Sequence, residues 1–97
     1  MKKLSHEEIE QLLPTVSGWT VIDDQKLTRT FAFENYYHTI AFVNAMAWMA
    51  NQLDHHPDLS VHYDRCVVNY NTHTINGLSK NDFICAEKVN QIYSGDV

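Results

Sequence analysis

Six histidines stand among 97 residues, and three of them occupy positions where imidazoles could work together. His55 and His56 are adjacent and come directly before Pro57, a residue that disfavours helical geometry in its predecessor. The pair therefore falls in a turn, at the end of a stretch that otherwise reads as helix. Neighbouring side chains diverge by about 100° on a helix and point to opposite faces of a strand, so a turn is where both can line one cavity. His73 lies at the far end of a strand-like stretch, just before a glycine-containing loop. If "DLSVHY" and "RCVVNYNTH" form an antiparallel hairpin, the residue entering its first strand lies near the residue leaving its second. That register makes His56 and His73 neighbours in space.

Two kinds of chemistry fit three converging imidazoles. One is metal binding, since neutral imidazole is a common ligand. Against it, no Asp, Glu or Cys stands at a customary helical ligand spacing from these histidines, and the adjacency of His55 and His56 makes joint coordination awkward. The other is acid and base chemistry near neutral pH, where an ordinary imidazole pKa of about 6.5 lets one ring accept a proton while another donates. Taken singly, each histidine also fits a capping or surface role. Acid–base work without metal or cofactor is the expectation carried forward.

These side chains need a frame, and the rest of the chain supplies one. "LSHEEIEQLL" carries Ser5 with Glu8 three positions on, a capping-box pattern opening a short helix that shares Ile9, Leu12 and Leu13 on one face and ends at Pro14. "WTVID" and "KLTRTFAF" alternate apolar and polar residues around "DDQ", which predicts a two-stranded hairpin with Trp19, Val21, Leu27 and Phe31 inward. From Glu34 to about Leu53 there is no Gly or Pro, and the abundance of Ala, Met and aromatics predicts a long helix. It is apolar nearly all round between Tyr37 and Ala50, so it must be buried on two sides. The second hairpin turns near Asp64, with Leu59, Val61 and Tyr63 expected on one face and Cys66, Val68 and Tyr70 on another. "TINGLS" is a loop in which Gly77 supplies backbone freedom, and Ser79 with Asp82 forms a second capping box for a last helix carrying Phe83, Ala86, Val89, Asn90 and Tyr93. The order α-β-β-α-β-β-α predicts an α+β domain over residues 1–97, a four-stranded antiparallel sheet with three helices on one face.

Bulk composition excludes several functions. Seven Lys and Arg against twelve Asp and Glu give a net charge of −5, which repels phosphate backbones and anionic bilayers. Direct nucleic-acid binding is not expected. No uninterrupted apolar run reads as a signal peptide or membrane span, so a cytoplasmic location is expected. Cys66 and Cys85 lack a CxxC spacing and read as small buried hydrophobes.

The run "LDHHPDLSVHYDRCVVNYNTHTINGLSKNDFICAEKVNQI" resembles the pterin-4a-carbinolamine dehydratases, also met as the dimerisation cofactor of homeodomain transcription factors. Its matching features are His55-His56-Pro57 after a long helix, a tyrosine-containing hairpin, Thr72-His73, Gly77-Leu78-Ser79 and Asp82. With "SGW" at 17–19 and "FAFENYYHTIAF", the likeness covers about residues 17–93. The family's fold, a four-stranded antiparallel sheet with three helices on one face, agrees with the element order above.

The resemblance implies dehydration of 4a-hydroxytetrahydrobiopterin, or a related 4a-hydroxytetrahydropterin, to the quinonoid dihydropterin, which recycles the cofactor of aromatic amino-acid hydroxylases. By similarity, His55 and His73 would carry the acid and base work and His56 would bind and orient the pterin. Asp82 matches an acidic position near the site, where it could hold a histidine in the right tautomer, although its capping-box role explains it equally well. Neither metal nor redox cofactor is implied. The family pattern often has an acidic residue where this chain has Asn51, and an aromatic where it has Leu59. The resemblance also implies an alternative from another class, a protein–protein binding module acting as a transcriptional or hydroxylase-associated cofactor. The expected partners are thus a pterin, further copies of the chain in a dimer or tetramer, and an aromatic amino-acid hydroxylase or transcription factor.

Overall fold

Each hairpin and each helix begins where local chemistry starts it. The computed structural model describes residues 1–95. Ser5 and Glu8 close the reciprocal capping box that opens α1 (His6–Leu12). Pro14 does not end the winding as expected; it sits inside a 3-10 turn, Leu13–Thr15, whose early positions require no N–H from it. β1 (Thr20–Ile22) and β2 (Lys26–Ala32) follow, joined through Asp23 and Asp24 at φ 54° and 55°, a left-handed geometry that a short polar side chain tolerates. Asn35 then accepts the His38 N–H and starts α2 (Tyr36–Gln52). β3 (Asp58–Val61), β4 (Arg65–Tyr70), a 3-10 turn at His73–Ile75 and α3 (Lys80–Ser94) complete the order.

The four strands pair antiparallel in the order β1-β2-β4-β3, so β2 and β4 form the centre and the two short strands the edges. Leu27, Phe31, Cys66, Val68 and Tyr70 rise from the central strands into one core, where Phe42 and Met46 of α2 and Phe83, Ala86 and Val89 of α3 meet them. This is the expected α+β arrangement, an antiparallel sheet with three helices.

Two expectations need correction. Leu59 lies opposite Val68 and Val61 opposite Cys66, and directly opposed residues share a face of the sheet, so these side chains lie on the same face as the β4 core residues, not on another. They nevertheless stay open, at 37% and 39% exposure, on an edge strand whose every residue is exposed. α2 likewise covers the sheet with one face only. Thr39, Phe42, Met46, Met49 and Ala50 are buried, while Tyr37, Ala41, Ala45 and Trp48 form an apolar stripe on the outside. Within one chain the helix is not buried on two sides.

Candidate active site

The end of α2 and the end of β4 build the site between them. Asp54, at φ 51°, turns the chain out of the helix, and the His55 N–H still donates to the Ala50 carbonyl at 3.1 Å, so His55 is tied to the last helical turn. Tyr70, the last residue of β4, donates its hydroxyl hydrogen to the His55 carbonyl at 3.0 Å. The two rings also stack, with centroids 5.2 Å apart and planes 26° from parallel. Burial pushes the Tyr70 phenol far above its ordinary range, and the neighbouring Cys85 and Asp82 push it the same way. It therefore remains a donor at any physiological pH.

Beyond Tyr70 the chain makes a narrow loop. The Thr72 N–H donates to the Gly77 carbonyl at 2.9 Å, which closes a turn carrying His73. Left-handed backbone belongs to Asn76, at φ 50°, and not to Gly77, the residue expected to supply the loop's backbone freedom. A Cβ on Gly77 would meet the flexible side chain of exposed Lys3, 2.7 Å from its Cε.

Asp82 stands behind His55. It closes the capping box at the start of α3, and its side chain is fully buried. Its Oδ1 lies 2.6 Å from His55 Nε2, while Oδ2 accepts from the Thr72 hydroxyl at 2.8 Å and the Ser79 N–H at 2.9 Å. Three donors around one buried carboxylate satisfy it without water. The same wall continues into Cys85, whose thiol burial pushes up to about 11.

His55, His56 and His73 all line one cavity of about 620 Å³, together with Asn51 and Leu59. The His55 side chain is 14% exposed, whereas His56 and His73 lie open at the surface. Asp82 does not line the cavity; it reaches it through His55 and Thr72, which do. His62 is exposed outside the strand. Two functional neighbours, Tyr70 and Thr72, escaped the sequence reading as site residues. The available signal was strand parity, since Cys66, Val68 and Tyr70 are the buried alternates of β4 and Thr72 continues their series. Among the described residues no group of three or more His, Cys, Asp or Glu side chains is arranged to hold a metal ion.

Fold and site together define a small α+β protein with histidines gathered at the mouth of one hairpin. The family model for pterin 4 alpha carbinolamine dehydratase matches residues 2–92, further toward the amino terminus than the residues that first carried the resemblance. A protein of Xanthomonas oryzae pv. oryzae (strain MAFF 311018), provisionally named pterin-4-alpha-carbinolamine dehydratase, is 58% identical over 92 residues, covering 94% of this chain and 78% of that one. A provisionally named counterpart from Stenotrophomonas maltophilia (strain R551-3) is 56% identical over 91 residues, covering 93% and 78%. Among solved structures, the transcriptional coactivator/pterin dehydratase from Brucella melitensis superposes with a TM-score of 0.90 at 32% identity, over 95% of this chain and 99% of that one. A pterin dehydratase-like protein, identified as a RuBisCO assembly factor in the alpha-carboxysome, shares the fold at a TM-score of 0.68 and 20% identity, over 78% and 89% of the two chains. The chain belongs to the pterin-4a-carbinolamine dehydratase family.

Proposed function

We propose that the chain dehydrates a 4a-hydroxytetrahydropterin to the quinonoid dihydropterin, with 4a-hydroxytetrahydrobiopterin as the reference substrate. The observation that carries this reading is the shared cavity of His55, His56 and His73, with His55 backed by a buried carboxylate. In the reaction the C4a–O bond breaks as the N5 lone pair forms the C4a=N5 double bond. The leaving hydroxyl takes a proton and departs as water, and N5 gives one up. His55 fits the base, because Asp82 stabilises the imidazolium formed when the ring accepts the N5 proton. His73, which lines the same cavity and is open at the surface, fits the acid. His56 binds and orients the pterin. Asn51 brings no carboxylate to the cavity wall where the family pattern often has one, and Asp54 is the acidic residue that lines it.

Alanine at His55 or His73 should lower turnover by about 10²–10⁴ in protein whose circular dichroism is unchanged. Alanine at His56 should raise KM more than it lowers kcat. Full activity in both the His55→Ala and His73→Ala proteins would overturn the reading.

The second reading, a protein-binding role, rests on the outer face of the molecule. Tyr37, Trp48 and Tyr63 are 76%, 68% and 65% exposed, and edge strand β3 adds Leu59 and Val61. Such a surface calls for a cover, and we take it to be further copies of the chain in a dimer or tetramer. Sedimentation showing only an 11.2 kDa species at micromolar concentration would leave a transcription factor or hydroxylase as the occupant.

A further inference from the structure

His55 has two ring nitrogens, and the hydrogen bonds behind it decide which one works. Asp82 Oδ2 receives both the Thr72 O–H and the Ser79 N–H, so it carries no hydrogen itself, and as a carboxylate Asp82 is acceptor-only at Oδ1 as well. Oδ1 then has no hydrogen to offer, so the contact to His55 Nε2 requires that Nε2 carry the hydrogen. In the neutral ring this leaves the lone pair on Nδ1.

Thr72 is the pivot of this arrangement. Its single hydroxyl hydrogen goes to Asp82, so its oxygen accepts from the Ser79 hydroxyl, 2.8 Å away, and the relay runs one way from Ser79 through Thr72 to Asp82. All three residues are buried, and of them only Thr72 also lines the cavity. A carboxylate turns readily about its last bond, and Thr72 together with the Ser79 N–H pins that rotation so that Oδ1 faces the ring. Thr72 also follows Tyr70 by two positions, so one side of β4 and its continuation grips His55 by its carbonyl, its ring face and, through Asp82, its Nε2.

We propose that Thr72 is a positioning residue: through Asp82 it fixes His55 as the Nε2–H tautomer and makes Nδ1 the nitrogen that takes the substrate's proton. This rests on the dehydratase reading for the identity of the substrate. The tautomer itself is independent of it, and can be read without substrate.

The test combines nitrogen-15 spectra of the histidine rings at a pH where they are neutral with turnover on a 4a-hydroxytetrahydropterin. Wild type should show His55 with hydrogen on Nε2 and a bare Nδ1. Thr72→Val should give mixed tautomers and a kcat lower by roughly 10- to 100-fold, with KM little changed, and Thr72→Ser should restore both. Asp82→Asn supplies a second arm. The Ser79 N–H demands that the amide keep its oxygen on that side, which turns the NH₂ toward Nε2 and should move the ring hydrogen to Nδ1. A wild-type ring spectrum and turnover in Thr72→Val, or a Thr72→Ser protein no better than the valine variant, would overturn the proposal. If the valine variant does not fold, an Nε2–H ring in Asp82→Asn would overturn it. Tautomer changes as described in a wild-type protein without dehydratase activity would refute the substrate and leave the positioning role standing.

Discussion

Among the described residues stand two histidine–aspartate pairs, and they differ in everything but their chemistry. His6 Nδ1 lies 3.1 and 2.9 Å from the two carboxyl oxygens of Asp24, joining α1 to the turn of the first hairpin. His55 Nε2 lies 2.6 Å from Asp82, joining the end of α2 to the start of α3. The first pair is about half exposed on each side, at 58% and 47%, and the second is 14% and 0% exposed. The first pair is open to water, which screens it, so the contact contributes little. Around the second, each carboxylate oxygen has a protein donor, and the ring is held on its face and its backbone as well. Proximity of the two residue types does not make a site; burial and a full set of donors do.

The comparison can be broken at the carboxylates. Asp82→Ala should remove the acceptor from the Ser79 N–H and the Thr72 hydroxyl, at a cost of about 1–3 kcal/mol for each buried donor left unpaired, measured by urea denaturation. Asp24→Asn keeps a residue that tolerates φ 55° and should move the midpoint far less. Equal losses in the two variants would contradict the distinction.

Exchanging the histidines gives the next contrast. His6→Ala should leave kcat and KM at wild-type values, because His6 stands outside the cavity. A loss of turnover there comparable to that of His55→Ala would mean that the site has been misplaced.

The exposed pair has a pH signature of its own. Hydrogen bonding to Asp24, then the charges of Asp24 and Glu10, raise the His6 pKa above 6.5. A pKa raised on folding adds stability that is fully present below the unfolded value and disappears as pH rises through the folded one. The Tm gap between wild type and His6→Ala should therefore be widest below pH 6.5 and shrink as pH rises above it. A gap that widens toward alkaline pH would contradict the assignment.

The smallest effect belongs to the wall behind the buried pair. With its thiol buried and pushed up to about 11, Cys85 should resist iodoacetamide at neutral pH until the protein is unfolded, as should buried Cys66. Rapid alkylation of folded protein would show that this wall opens.

Much of this frame was legible in the chain because it rests on local rules. Ser5 with Glu8 and Ser79 with Asp82 announce two helix starts, and Pro57 announces the turn that holds His55 and His56. What stayed hidden depends on contacts between elements. Nothing in the spacing of Thr72 and Asp82 says that a residue leaving β4 donates to one entering α3. Alternation in "DLSVHY" looked like a half-buried strand, yet β3 became an edge strand that the helices do not cover, a matter of strand order and not of sequence pattern. Gly77 is the residue whose type suggests backbone freedom, whereas Asn76 makes the left-handed turn.

The central claim is tested most directly by generating a 4a-hydroxytetrahydropterin in a stopped-flow mixer and following its decay, with the spontaneous rate subtracted at each pH. Wild-type protein should accelerate the decay in proportion to its concentration, and equally after treatment with a chelator, because the elimination needs two proton transfers and no Lewis acid. Decay at the spontaneous rate in the presence of folded wild-type protein would contradict the account.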